Sequence, residues 1–90
     1  MLLGEAPAGT FFMFKATPGH DKPEGLFYKL DGGYWDVAVE EFINVDRSNQ
    51  DVNVKWLDHY DVAKKYRMST TWVLALESEI KEAVAKEKSL

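Results

Sequence analysis

The stretch GLFYKLDGGYWDVAV, residues 25–39, constrains this chain more than any other. Two runs rich in aromatic and aliphatic residues flank Asp31-Gly32-Gly33, and Asp-Gly or Gly-Gly between such runs is a strong cue for a two-residue hairpin loop. The register depends on which pair forms the loop. With Gly32-Gly33 at the tip, Leu30 faces Trp35, Tyr28 faces Val37 and Leu26 faces Val39, while Lys29 meets Asp36 and Phe27 meets Ala38. With Asp31-Gly32 at the tip the faces are unchanged, but Phe27 meets Asp36. A three-residue loop would mix apolar and polar faces and is rejected. Cross-strand pairs of this kind contribute roughly 0.2–1 kcal/mol each.

Around the hairpin the pattern predicts further strands. TFFMFKA, residues 10–16, is a β-rich run. TPGHDKPEG, residues 17–25, has two prolines and two glycines among charged residues and reads as a solvated loop. EEFINV, residues 40–45, extends or ends the third strand, DRSNQD is a polar turn, and VNVKW, residues 52–56, alternates again with Val52, Val54 and Trp56 on one side. From about residue 57 the period changes. Trp72, Val73, Leu76, Ile80 and Ala83/Val84 recur at helical spacing, with Ser69 or Thr70 available as a cap. A shorter helix fits within 57–66, with Trp56, Tyr60 and Ala63 on one side. The expectation is one α+β domain over residues 1–90, strand-rich over 10–56 and helical over 57–88. Its architecture is an antiparallel meander of three to four strands packed against a long C-terminal helix, with a short helix before it.

Composition narrows the functional classes. Hydrophobic residues make up 46% and aromatics 13%, enough to form a core rather than a disordered chain. There is no cysteine, which removes disulfides, thiolate metal sites and a cysteine nucleophile. No run resembles a signal peptide or approaches membrane-spanning length, so a soluble cytoplasmic protein is expected. The net charge of −4 weighs against broad attraction to phosphates.

The sequence carries no assembled catalytic constellation. His20 and His59 stand far apart in sequence, one in a loop and one beside a helix, and no metal is expected of them. NQDVN places Asn49, Asp51 and Asn53 as a calcium loop would, but Val54 replaces the required glycine and Tyr60 the terminal glutamate. No phosphate-cradling glycine loop and no G-x-S-x-G is present. Neither a catalytic residue nor a cofactor is expected.

YDVAKKYRMSTTWVLALES, residues 60–78, resembles the helix-turn-helix unit of bacterial repressors. Val62, Ala63, Tyr66, Met68, Val73 and Leu76 fall where that family places its packing residues. The turn position that the family usually gives to glycine is Arg67. The resemblance implies phosphate contacts from Lys64, Lys65 and Arg67, and base contacts from Ser69, Thr70, Thr71, Leu74, Ala75 and Ser78. That second set contains no Arg, Lys, Asn or Gln, the side chains that read base edges in pairs of hydrogen bonds. Glu77, Glu79 and Glu82 follow, so nucleic acid is not the expected partner.

The hairpin's second face carries Phe27, Tyr34 and Ala38, joined by either Phe11/Met13 or Phe12/Phe14 from the first strand. If uncovered, such a patch has the composition of an interface; a short helix or the N-terminal segment is the alternative cover. The opening EAPAGTFFMFK with GLFYKLDGGYWDV is similar to small accessory proteins of tailed bacteriophages, which carry an Ala-Pro-x-Gly-Thr start, Phe-Tyr-Lys and a Gly-x-Trp hairpin. The resemblance implies a non-enzymatic protein that binds and modulates a host or phage protein in the host cytoplasm. The expected contact residues are Phe11, Met13, Phe27 and Tyr34, bordered by Asp36, Glu40 and Glu41. A homodimer through that face is compatible. The alternatives are a helix-turn-helix transcriptional regulator and a small structural or homodimerising phage protein.

Overall fold

In a computed structural model, which describes residues 1–15 and 25–88, the hairpin forms with Asp31-Gly32 at its tip. Strand β2, Phe27–Leu30, pairs with β3, Gly33–Asp36, so that Leu30 faces Gly33, Tyr28 faces Trp35 and Phe27 faces Asp36. The two tip glycines serve different needs. Gly32 has φ 76°, a left-handed conformation that side chains disfavour. Gly33 lies within the ladder, and a Cβ there would stand 2.5 Å from the Ile43 carbonyl oxygen and 2.5 Å from the Phe42 ring.

The third strand does not run on through Val39 and EEFINV. Asp36 stops it: its carboxylate accepts the amides of Ala38 and Val39 at 2.9 and 3.4 Å, and its carbonyl accepts the Glu40 amide at 2.9 Å. Glu40 completes the reversal at φ 56°. The chain then returns as a separate strand β4, Glu41–Asn44, antiparallel to β3. The last strand, β5, Val54–Leu57, does not continue the meander either. It pairs with β1, Phe11–Phe14, on the side away from β2. The result is a five-stranded antiparallel sheet in the order β4-β3-β2-β1-β5. Among the described residues two helices follow it, and the fold is α+β.

The registers decide which face each aromatic occupies. Phe12 is opposite Phe27 and Trp56, and Phe14 is opposite Val54, so these residues share a face with Tyr34 and Ile43. Phe11 and Met13 take the other face with Tyr28 and Trp35. On the first face Leu3, Phe12, Phe27, Tyr34 and Val54 form a buried cluster, with Phe14, Ile43 and Val45 packed at its margin. The Phe12 and Phe27 rings stack with centroids 5.5 Å apart, and Tyr34 meets Phe27 edge-on at 5.7 Å.

Leu3 reaches this cluster because the N-terminal segment is tied down. Its short 3-10 turn, Leu3–Glu5, is held by the Leu3 amide donating to Val52 and the Gly4 amide donating to Gln50, while the Val54 amide donates to Met1, each at 2.8 Å. Gly4 passes so close that a Cβ would touch Gln50 at 3.0 Å.

The chain divides into two compact units, Met1–Leu57 and Asp58–Leu90. The second is a helix pair. Helix α1, His59–Lys65, starts with a reciprocal cap in which the Asp58 side chain accepts the Asp61 amide and the Asp61 side chain accepts that of Asp58. Helix α2, Thr70–Lys88, is capped by Ser69, whose hydroxyl oxygen accepts the Trp72 amide at 3.2 Å. No helix among the described residues is long and apolar enough to cross a membrane. Residues 17–24 of the predicted loop 17–25, with His20, lie outside the described residues.

Candidate functional site

The predicted aromatic contact surface is not a surface. Phe27 and Tyr34 are each 7% exposed, Phe11 1% and Met13 3%. Phe11 and Met13 also lie on the opposite side of the sheet from Phe27 and Tyr34. The first face is covered by the N-terminal segment through Leu3, the cover that hairpin alternation alone could not establish. Burial, and secondarily the Asp36 carboxylate, raises the Tyr34 phenol above its ordinary pKa. Of the predicted polar border, Glu40 and Glu41 are exposed and Asp36 is partly buried, its carboxylate engaged by the turn that follows. These three residues remain at one sheet corner without an aromatic patch to border.

Val39 beside them is exposed, but the exposed large aromatics lie elsewhere. Trp72 is 69% exposed and Leu74 53%, both in the first turns of α2. The periodicity placed Trp72 in the buried stripe with Leu76 and Ile80. The buried stripe is instead Val73, Ile80 and Val84, with Leu76, Glu77 and Ala83 partly covered. At about 100° per residue, Trp72 and Leu74 stand on the two flanks of Val73. In α1, Val62 and Ala63 are buried, whereas Tyr60, expected on the same side as Ala63, is exposed. In the strand unit, Trp56 is half-exposed.

Arg67 adopts φ 54°, the left-handed conformation that favours glycine. The Tyr66 amide donates to Val62 and the Met68 amide reaches back to the Ala63 carbonyl at 2.9 Å, closing the end of α1 around Arg67. Lys64, Lys65 and Arg67 are exposed, as are Ser69, Thr70 and Thr71. The structure thus brings Lys64, Lys65, Arg67, Ser69, Thr70 and Thr71 together, at the end of α1, in the turn and at the start of α2.

Polar groups elsewhere in the helix pair are committed. His59 Nε2 lies 3.3 Å from Glu77 Oε1, joining α1 to α2. Burial raises the Tyr66 phenol above its ordinary pKa. The NQDVN region belongs to a turn held by Asp46, whose carboxylate accepts from the Ser48 amide and hydroxyl. The side-chain bond from Ser48 foremost, and then the backbone bond, hold the Asp46 pKa below its ordinary value. Among the described residues, no three His, Cys, Asp or Glu side chains converge as a metal-binding group.

No family model, curated protein or solved structure matches this chain.

Proposed function

We propose that this chain is a non-enzymatic protein-binding module whose contact surface lies on the helix pair, anchored by Trp72. The observation that carries this reading is the 69% exposure of Trp72 beside the buried Val73. Tryptophan is the residue type most enriched among the anchors of protein interfaces, and an exposed one contributes little to its own fold. Leu74 and Tyr60 add exposed apolar area on the same unit. The likeness of the opening to phage accessory proteins supports a host or phage protein as partner. Immobilised full chain should retain a partner that Trp72→Ala loses while the circular dichroism of the two proteins stays the same. Equal retention by both would remove the reading.

A transcriptional regulator is the second reading, favoured by Arg67 in the left-handed turn position. Against it stand the net charge of −4 and an exposed α2 start without base-reading side chains. A gel-shift titration with duplex DNA at two salt concentrations separates the two. A DNA reader retards the duplex in a salt-dependent manner.

A further inference from the structure

We infer that the turn joining α1 and α2 docks an acidic segment of a partner protein, with Lys64, Lys65 and Arg67 facing its carboxylates and Trp72 taking its apolar residue. The inference rests on the protein-binding reading above and names the partner's chemistry.

Charge is segregated along the chain. Between Val62 and Leu76 there are three cations and no carboxylate. Removing those three from the eleven Lys and Arg leaves eight, against all fifteen Asp and Glu, everywhere else. The turn is therefore a basic island in an acidic protein. The nearest carboxylates in sequence are already engaged. Asp58 and Asp61 cap α1, and Glu77 meets His59. Among the described residues, none of Lys64, Lys65 and Arg67 joins an ion pair.

The island is also held in place. The Met68-to-Ala63 backbone bond fixes the left-handed Arg67, so its side chain leaves from an ordered turn rather than a loose loop. Trp72 follows within one helical turn of the Ser69 cap. Cations and an exposed aromatic ring would suit a carboxylate-rich peptide or a nucleic acid strand. Three features favour the peptide. The exposed start of α2 offers Thr70, Thr71, Leu74, Ala75 and Ser78, with no amide or cationic side chain to read a base. Exposed Leu74 suits an apolar side chain better than a phosphate. A nucleic acid extends phosphates well beyond a three-cation turn, and the surrounding chain would repel them. Exposed ion pairs are individually weak, so the apolar anchor supplies affinity while the cations supply selection and salt sensitivity.

The test is nitrogen–proton NMR of the full chain. The probe is a synthetic peptide of glutamates around a central Leu-Leu pair, alongside the same peptide with glutamine for glutamate and single-stranded and duplex oligonucleotides. The acidic peptide should shift the Trp72 indole and the amides of residues 64–72 saturably. Its affinity should fall at least about tenfold with the glutamine peptide, in high salt, and in the Lys64→Glu/Lys65→Glu/Arg67→Glu variant. The peptide and salt arms need no variant, so a failure of the triple variant to fold does not blunt the test. No shift with the acidic peptide, equal binding of the glutamine peptide, or tighter binding of an oligonucleotide at the same residues overturns the inference. Glutamine-peptide binding that Trp72→Ala abolishes would leave the protein-binding reading standing and remove only the acidic partner.

Discussion

Gly32 and Gly33 are adjacent and look interchangeable, yet the structure uses them for unrelated reasons. Gly32 has nothing near its Cβ position and is required only for its φ of 76°, whereas Gly33 has no room for a Cβ. Gly32→Ala should cost about 1–2 kcal/mol, the left-handed penalty. Gly33→Ala should cost more, about 2–3 kcal/mol, because the obstruction includes backbone. Urea melts of the two variants check the order, and a larger loss at Gly32 would contradict the assigned register. Arg67 poses the converse case, a side chain where glycine is favoured. Arg67→Gly should raise the stability of the helix pair by about 1 kcal/mol, read from the helical signal in a melt. The sequence carried this prediction openly, since the repressor-like pattern marks that position. It did not mark Glu40, which is left-handed without any glycine, asparagine or proline beside it to signal a turn. For the same reason the reversal between β3 and β4 is not legible in the sequence, whose strand pattern runs on through it.

At the scale of elements, local chemistry was legible and long-range pairing was not. The β2–β3 hairpin, the polar turn after β4 and helix α2 all follow from cues within a few residues. The choice between two hairpin registers did not, because both kept the same faces. The packing of Phe42 and Ile43 from the next strand against Gly33 fits one of them. The reciprocal Asp58/Asp61 cap of α1 departs from the usual pattern, which has serine or threonine first and glutamate or glutamine last, so the start of α1 is weakly marked in the sequence. The polar turn yields a pH prediction. Its Asp46 pKa is depressed in the fold, so the stabilisation is present above the unfolded value of about 3.9 and is lost as pH falls through the lower folded value. Titration of the Ser48 amide shift should report a midpoint below the ordinary carboxylate range, and Ser48→Ala should bring it part of the way back, since the backbone bonds to Asp46 remain. Tyr34 has the opposite sense. Its raised phenol pKa stabilises the strand unit below about pH 10 and withdraws that contribution as pH rises further.

At the scale of the whole molecule, what changed between sequence and structure is which aromatics face water. Alternation correctly separated the two hairpin faces. It could not see that Met1–Glu5, which carries no strand pattern, returns beside Val52 and Val54 and inserts Leu3 among Phe12, Phe27 and Tyr34. Nor could helical periodicity tell Trp72 from Val73 as the centre of the buried stripe, since both fit the same spacing. Phe27→Asp should therefore unfold the strand unit, because it places a charge in an aromatic cluster without a partner. A folded Phe27→Asp protein would show that the cluster tolerates opening. Trp72→Ala should leave the melting temperature nearly unchanged, as substitutions at exposed positions do. The most direct measurement compares partner retention by the wild-type chain and Trp72→Ala under conditions where both show the same melt. Loss of the partner from the variant is the predicted result. Equal retention would contradict the assignment of the contact surface to the helix pair.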